Sequence, residues 1–248
     1  MSALDVLTSC KHAAIEVYDR IYYSIRLLGR PDICFVWVPK SAGSSIFRMM
    51  EREVGMVKLK DPKKLVAFPN YGPVTFGHVH YHSLQRMGVI SKAYHDSSLK
   101  FAVVRNPYDR VVSLYNYLVQ IEIYQGDFDA FLDDLLLRRP SVGVYNMSWI
   151  SVGNPQTDWL IGGDGAFVVD RVFKLEEIDK FYDFLKERGF NPGDQIPHEN
   201  RSSGTIGWQK DLIRSERRLA IVNSIYYRDF ELLGYDMISS APQPDNLT

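Results

Sequence analysis

Apolar and polar positions along the chain follow two alternating rhythms. In residues 1–30, Ala14, Tyr18, Ile21, Ile25 and Leu28 recur at helical spacing until Gly29-Arg30-Pro31 stops the pattern. This predicts an amphipathic helix packed on the domain that follows, with a contact between two copies of the chain or a peripheral membrane contact as alternatives. DICFVWV, residues 32–38, is a continuous apolar run of the kind that fills a central parallel strand. A loop, 39–44, leads into a helix from Ser45 onward. The stretch 58–73 is polar and punctuated by proline, which predicts a surface loop, and VTFGH then forms a short strand. KFAVVR, residues 100–105, is a second strongly apolar strand. It meets the turn signal Asn106-Pro107 and the helix YDRVVSLYNYLVQ.

Beyond it, FDAFLDDLLLRR has helical amphipathicity, and residues 161–190 predict a turn, a pair of strands and a helix ended by Gly189. A loop over 195–207 and one or two helices through Phe230 complete the pattern. Strands alternating with helices, without internal repeats, predict an α/β fold. It has three layers: a mostly parallel central sheet, a P-loop-like strand–loop–helix, and helices on both faces. The organisation expected is an N-terminal helical extension (1–30), one α/β domain (31–238) and a disordered tail (239–248).

Composition narrows the function classes. At 248 residues the chain is long enough for a substantial core, and 46% apolar with 24% charged residues is ordinary for a globular protein. A net charge of −1 gives no support for nucleic-acid binding or an anionic membrane surface, so an anionic ligand must be met by local cations. Two cysteines make no disulfide framework, and Cys34 sits in an apolar strand as a reduced thiol. No stretch approaches the roughly 20 apolar residues of a membrane span, and the N-terminus lacks the pattern of a secretory signal, which makes the expected location cytoplasmic.

The candidate chemistry begins at WVPKSAGSSIF, residues 37–47. A strand turning sharply into a helix offers unpaired backbone N–H groups and the positive end of the helix dipole. Ser41, Ala42, Gly43 and Ser44 are small enough to let a phosphate-like anion approach. Ser44 and Ser45 add hydroxyls, and Ser45 is placed to cap the helix. Lys40 supplies a point charge. The Gly-Lys-Ser/Thr ending of an ATP-binding P-loop is absent. Arg105, at the end of the second strand, has a donor fork suited to a phosphate monoester, and Ser113 stands about two helical turns further on. If the strands are neighbours, both groups reach the carboxyl edge of the sheet, where open α/β sheets bind ligands. Two separated anionic groups on one ligand fit this arrangement.

PKSAGSS after a strand, followed by VVRNPYDRVVSLY, resembles the sulfotransferases that use 3′-phosphoadenosine 5′-phosphosulfate (PAPS), most closely the glycan O-sulfotransferase branch. The resemblance runs loosely from about residue 32 to 236. It implies that Lys40, Ser41, Ala42, Gly43, Ser44 and Ser45 hold the 5′-phosphosulfate and that Arg105 and Ser113 hold the 3′-phosphate. HENRSSG, residues 198–204, resembles a loop that closes over the nucleotide, which implies roles for Asn200, Arg201 and Ser202. VDRVFKLEEID and IYYRDFELLGY resemble later segments of the family.

TFGHVHYHS places His78, His80 and His82 at alternating positions. On an extended strand they would share a face and could chelate a metal. If the chain leaves the strand at Gly77, the rings scatter. A single catalytic base is the alternative, since an acceptor hydroxyl must lose its proton as a bond to sulfur forms. The resemblance points to His78, with His80 as the other choice, and Glu51 or Asp158 are further carboxylate options. No metal is required, since lysine, arginine and amides can neutralise the donor. Tyr145, Trp149 and Trp159 are candidates to stack on an acceptor, with Gln156 and Asp158 to bind its hydroxyls. The expected reaction is in-line sulfuryl transfer to a carbohydrate or other alcohol. The competing readings are an ATP- and Mg²⁺-dependent kinase, a metal-dependent hydrolase on the three histidines, and a non-catalytic nucleotide-binding module.

Overall fold

The computed structural model describes residues 3–137, 152–191 and 211–239. The N-terminal rhythm forms α1 (Ala3–Leu27). The first apolar run forms β1 (Ile33–Val36), which leads to α2 (Gly43–Val54). The stretch from Lys58 to Pro73 departs from the predicted surface loop. It holds β2 (Val57–Lys58) and α3 (Pro62–Leu65), and Leu59, Leu65, Ala67 and Phe68 are buried. β3 (Pro73–Thr75) precedes α4 (Tyr81–Arg86) and α5 (Lys92–Ser97). The second apolar run is β4 (Leu99–Val104), followed by α6 (Pro107–Gln120) and α7 (Phe128–Leu136). Then come α8 (Thr157–Leu160), β5 (Arg171–Lys174), α9 (Ile178–Lys186), α10 (Glu216–Ile225) and α11 (Tyr227–Leu233). The strand pair expected before α9 is β5 preceded by a single antiparallel bridge, Ile161 with Phe167.

The five strands pair in the order β2-β3-β1-β4-β5, and every pairing is parallel. Successive residues of a strand point to opposite faces, and here both faces are covered. Ile33, Phe35, Phe101 and Val103 pack with Ile46, Met49 and Met50 of α2 and Phe181 and Leu185 of α9. Cys34, Val36, Ala102 and Val104 pack against Leu27, Leu65, Leu84 and Tyr94 on the other face. This double burial is why β1 and β4 read as unbroken apolar runs. A third cluster joins α6, α7, α10 and α11 through Leu114, Phe131, Val222 and Phe230. Among the described residues, no helix is long and apolar enough to cross a membrane.

Candidate active site

The loop between β1 and α2 is strained and held from outside. Lys40 and Ala42 stand at φ 66° and 58°, the left-handed region that disfavours residues with a Cβ. Two contacts from distant parts of the chain hold the turn. The guanidinium of Arg110, 1% exposed, donates through Nε to the Pro39 carbonyl at 3.0 Å and through Nη1 and Nη2 to Asn154 and Val152. The Ser41 hydroxyl, also buried, donates to Gln156 Oε1 at 3.3 Å.

The helix begins two residues earlier than Ser45, and its N-cap is Ala42, which makes no side-chain cap. Ser45 lies inside the first turn, buried, with its amide on the Ala42 carbonyl at 3.1 Å, and so does not cap the helix. The first amides of a helix have no intrahelical acceptors. With alanine at the cap they meet no side-chain oxygen of that residue either. Gly43 is small for a reason the sequence did not disclose: a Cβ there would lie 1.8 Å from Trp37 Nε1. The indole fills the space and stacks on Phe47 at 5.8 Å.

The end of β4 lies beside this loop. Gln156 Oε1 accepts from the Arg105 amide at 2.9 Å as well as from Ser41, and Gln156 Nε2 donates to the Arg105 carbonyl at 2.8 Å. One fully buried amide therefore joins the two segments. It is itself fixed by Asp229 of α11, whose carboxylate accepts from the Gln156 and Thr157 amides and the Thr157 hydroxyl. Burial raises the Asp229 carboxyl above the ordinary carboxylate range. Asn106 caps α6 through Oδ1 to the Tyr108 amide at 3.0 Å, with Pro107 in the first turn. Arg105 and Ser113 are half-buried, and Ser113 and Tyr117 are four residues apart on α6, which places them on one face.

Lys40 reaches towards that face, with Nζ 4.0 Å from the Tyr117 ring centroid. Burial, with the charges of Arg105 and Arg110, lowers its pKa to about 8. This concentration of positive charge beside a half-buried lysine is the field an anion would relieve.

Gly77, at φ 63°, turns the chain out of β3, and the three histidines diverge. His78 Nδ1 lies 3.2 Å from the Trp37 carbonyl. A carbonyl only accepts, so Nδ1 carries the proton and Nε2 is the ring's basic nitrogen. Burial, partly opposed by this bond, and the charges of Arg110, Lys40 and Lys58 bring its pKa to about 4. His80 precedes α4 and packs edge-on against Trp159 at 4.5 Å, its buried Nε2 without a partner and its pKa brought to about 4, mainly by burial. His82 lies within α4. Among the described residues, no three His, Cys, Asp or Glu side chains gather to hold a metal ion.

Gln156 and Trp159 do not fit the acceptor-binding role expected of them. Both are fully buried, Gln156 is committed as described, and Trp159 Nε1 donates to the His78 carbonyl at 3.1 Å. They hold the loop and the His78 segment from behind. Asp158 is half-buried, 3.5 Å from Arg228. Glu51 is exposed on α2, 3.8 Å from Arg26. Asn200, Arg201, Ser202, Tyr145, Trp149 and positions 240–248 lie outside the described residues. The sequence reading missed Arg110 and Asp229. A charged residue inside an apolar helix face, as in YDRVV, was the available signal for the first.

Residues 24–133 match the family model described as "Sulfotransferase family". The segment covers β1 to β4, both junctions and His78, and is somewhat under half the chain. It bears out the resemblance to sulfotransferases at the level of the family, without selecting the glycan branch. None of the curated proteins matches significantly. Two solved structures are similar. One is a sulfotransferase from Alicyclobacillus acidocaldarius, 19% identical, with a TM-score of 0.43 over 83% of this chain and 99% of that one. The other is mouse sulfotransferase SULT7A1 in complex with PAP, 17% identical, with a TM-score of 0.39 over 79% of this chain and 69% of that one.

Proposed function

We propose, from the premise that residues 24–133 of this chain are of the sulfotransferase family, that it moves the sulfuryl group of PAPS to a hydroxyl of a carbohydrate or another alcohol. The observation that carries this reading is the bridge made by Gln156. By bonding Ser41 and both backbone groups of Arg105, it sets the β1 loop and the β4 end side by side at one sheet edge. An elongated donor with two phosphate-bearing ends fits such a pair. In this reading Lys40 and the first amides of α2 hold the phosphosulfate end, and Arg105 with Ser113 holds the 3′-phosphate.

The strand order gives this reading two sides. β4 lies on one flank of β1 and β3 on the other. With the 3′-phosphate on the β4 flank, the acceptor enters on the β3 flank, beside His78. Phe47 and the exposed Lys58, whose Nζ is 4.7 Å from that ring, border this entrance. His78 Nε2 takes the hydroxyl proton as the acceptor oxygen bonds to sulfur. The bond from sulfur to the 5′-phosphate oxygen breaks with its electron pair going to the phosphate, and Lys40 neutralises the charge arriving there. The ring enters this step neutral. Negative charge on the bound donor opposes the cations that depress it and so raises its basicity.

A thermal-shift titration with adenosine 3′,5′-bisphosphate, set against ATP with Mg²⁺, tests the donor assignment. Saturation at about 100 times the dissociation constant stabilises by about 2.7 kcal/mol, or roughly 5–10 °C for a chain of this size. The expected result is a shift with the bisphosphate that disappears in Arg105→Ala. A response to ATP with Mg²⁺ alone would replace this reading with a kinase. His78→Ala is expected to keep the bisphosphate shift while losing turnover with PAPS.

A further inference from the structure

α1 has two apolar faces, and the fold uses one of them. Tyr23 and Leu27 are buried against the domain, Arg20 donates to the Val66 carbonyl, and Tyr71 donates to the Ser24 carbonyl. On the other side, Tyr18, Ile21, Ile25 and Leu28 are 67%, 55%, 71% and 74% exposed. Every residue from 12 to 18 is exposed, so the helix runs on beyond the body that supports its C-terminal part. We propose that this arm pairs two copies of the chain, α1 against α1, along the stripe Ala14, Tyr18, Ile21, Ile25, Leu28.

The spacing of the stripe is four, three, four, three. That is the period of 3.5 that keeps a seam facing a second helix over successive turns, rather than the 3.6 of a helix lying on a globular core. In that register the flanking positions are Ile15, Val17, Tyr22 and Ser24, none of them charged, and the first three are themselves exposed. Glu16, Asp19, Arg20 and Arg26 all fall outside the seam and its flanks.

A second copy is the occupant that these features fit. The stripe offers no charge for a different partner to match, and a two-fold pair brings identical uncharged strips together, which closes the assembly. The seven large apolar side chains of the stripe and its flanks, 41–74% exposed, present on the order of 700 Å², close to the roughly 800 Å² each partner gives to a stable interface. A helix that lies on lipid carries a polar face rich in Lys and Arg. Here the positions away from the stripe and its flanks carry two acidic and two basic residues, Glu16, Asp19, Arg20 and Arg26. Most of the arm precedes residue 24, where the family match begins, and the inference does not depend on the transfer reaction.

Sedimentation equilibrium of the full chain at micromolar concentration tests it. The expected mass is twice 28.5 kDa. Ile21→Glu and Ile25→Glu, each at an exposed seam position, are expected to give monomer with an unchanged circular-dichroism spectrum, while Glu16→Gln remains dimeric. A monomeric wild-type chain, or a dimer indifferent to both seam substitutions, overturns the proposal. So does a monomer that floats with phosphatidylcholine–phosphatidylserine vesicles and loses that property in Ile25→Glu, which would make the stripe a lipid contact.

Discussion

Where β1 turns into α2, two residues with side chains stand at positive φ and the helix begins on an uncapped alanine. Where β4 turns into α6, an asparagine caps the helix, a proline occupies its first turn, and Arg105 directly follows the strand. The two junctions are neighbours and make the same topological turn. The first leaves its amides uncapped by its own N-cap residue and relies on distant groups, Arg110 and Gln156, to hold its shape. The second satisfies its own helix start and contributes a side chain. In the proposed function the first backbone receives an anion and so is not locally self-sufficient, whereas the second only carries an arginine and is.

The sharpest way to break this contrast is to remove the external support of the first junction. Arg110→Ala leaves the Pro39, Asn154 and Val152 carbonyls without their charged donor. Stripping such a buried partner costs about 4 kcal/mol. Chemical denaturation should show it, and a loss under about 1 kcal/mol would mean that the loop holds itself. Lys40→Ala comes next. It removes the loop's cation without removing a fold contact of that weight, and turnover with PAPS is expected to fall by about 10²–10³ in a protein that still melts cooperatively. Unchanged turnover would detach Lys40 from the chemistry.

The pH profile separates the roles proposed for His78 and Lys40. In the free protein His78 is neutral above about 4, and Lys40 loses its proton above about 8. The ratio kcat/KM is therefore expected to rise through the first value and to fall through the second, about tenfold per pH unit beyond it. For His78 the stability sign agrees with the activity sign, and for Lys40 the two are opposite. A histidine depressed from about 6.5 contributes stability above that pH, and loses it as pH falls towards 4. A lysine depressed from about 10.4 favours the folded state more as pH rises from about 8. A flat rate profile between pH 7 and 10 would show that the charge of Lys40 is not used.

The sequence displayed what lies next to strand ends. β1 and β4 are buried on both faces, so their runs are continuously apolar, and Lys40, Arg105 and His78 fall within a few residues of a strand's end. The short elements between 57 and 68 were hidden because a two-residue strand and a four-residue helix show no period, and their buried residues form only short apolar runs between lysines and prolines. The supports were hidden for another reason. Ser41 and Gln156 are 115 positions apart, and Asp229 is 73 beyond Gln156. Nothing local marks such a pair. Gln156 and Trp159 therefore read as acceptor contacts, when burial assigns them to holding the loop and the His78 segment.

The smallest effect tests the second junction. Asn106→Ala removes the Oδ1 cap of α6, a loss of about 1 kcal/mol. The melting temperature is expected to fall by roughly 2–4 °C. The shift produced by adenosine 3′,5′-bisphosphate should be unchanged, since the amide that Asn106 covers is already spent within the protein. Asn106→Asp, which restores an oxygen at the cap, should recover most of the loss. If Asn106→Ala instead abolished the ligand shift, the start of α6 would be a second backbone cradle for the donor. The contrast between a junction that binds through its amides and one that binds through its arginine would then fail.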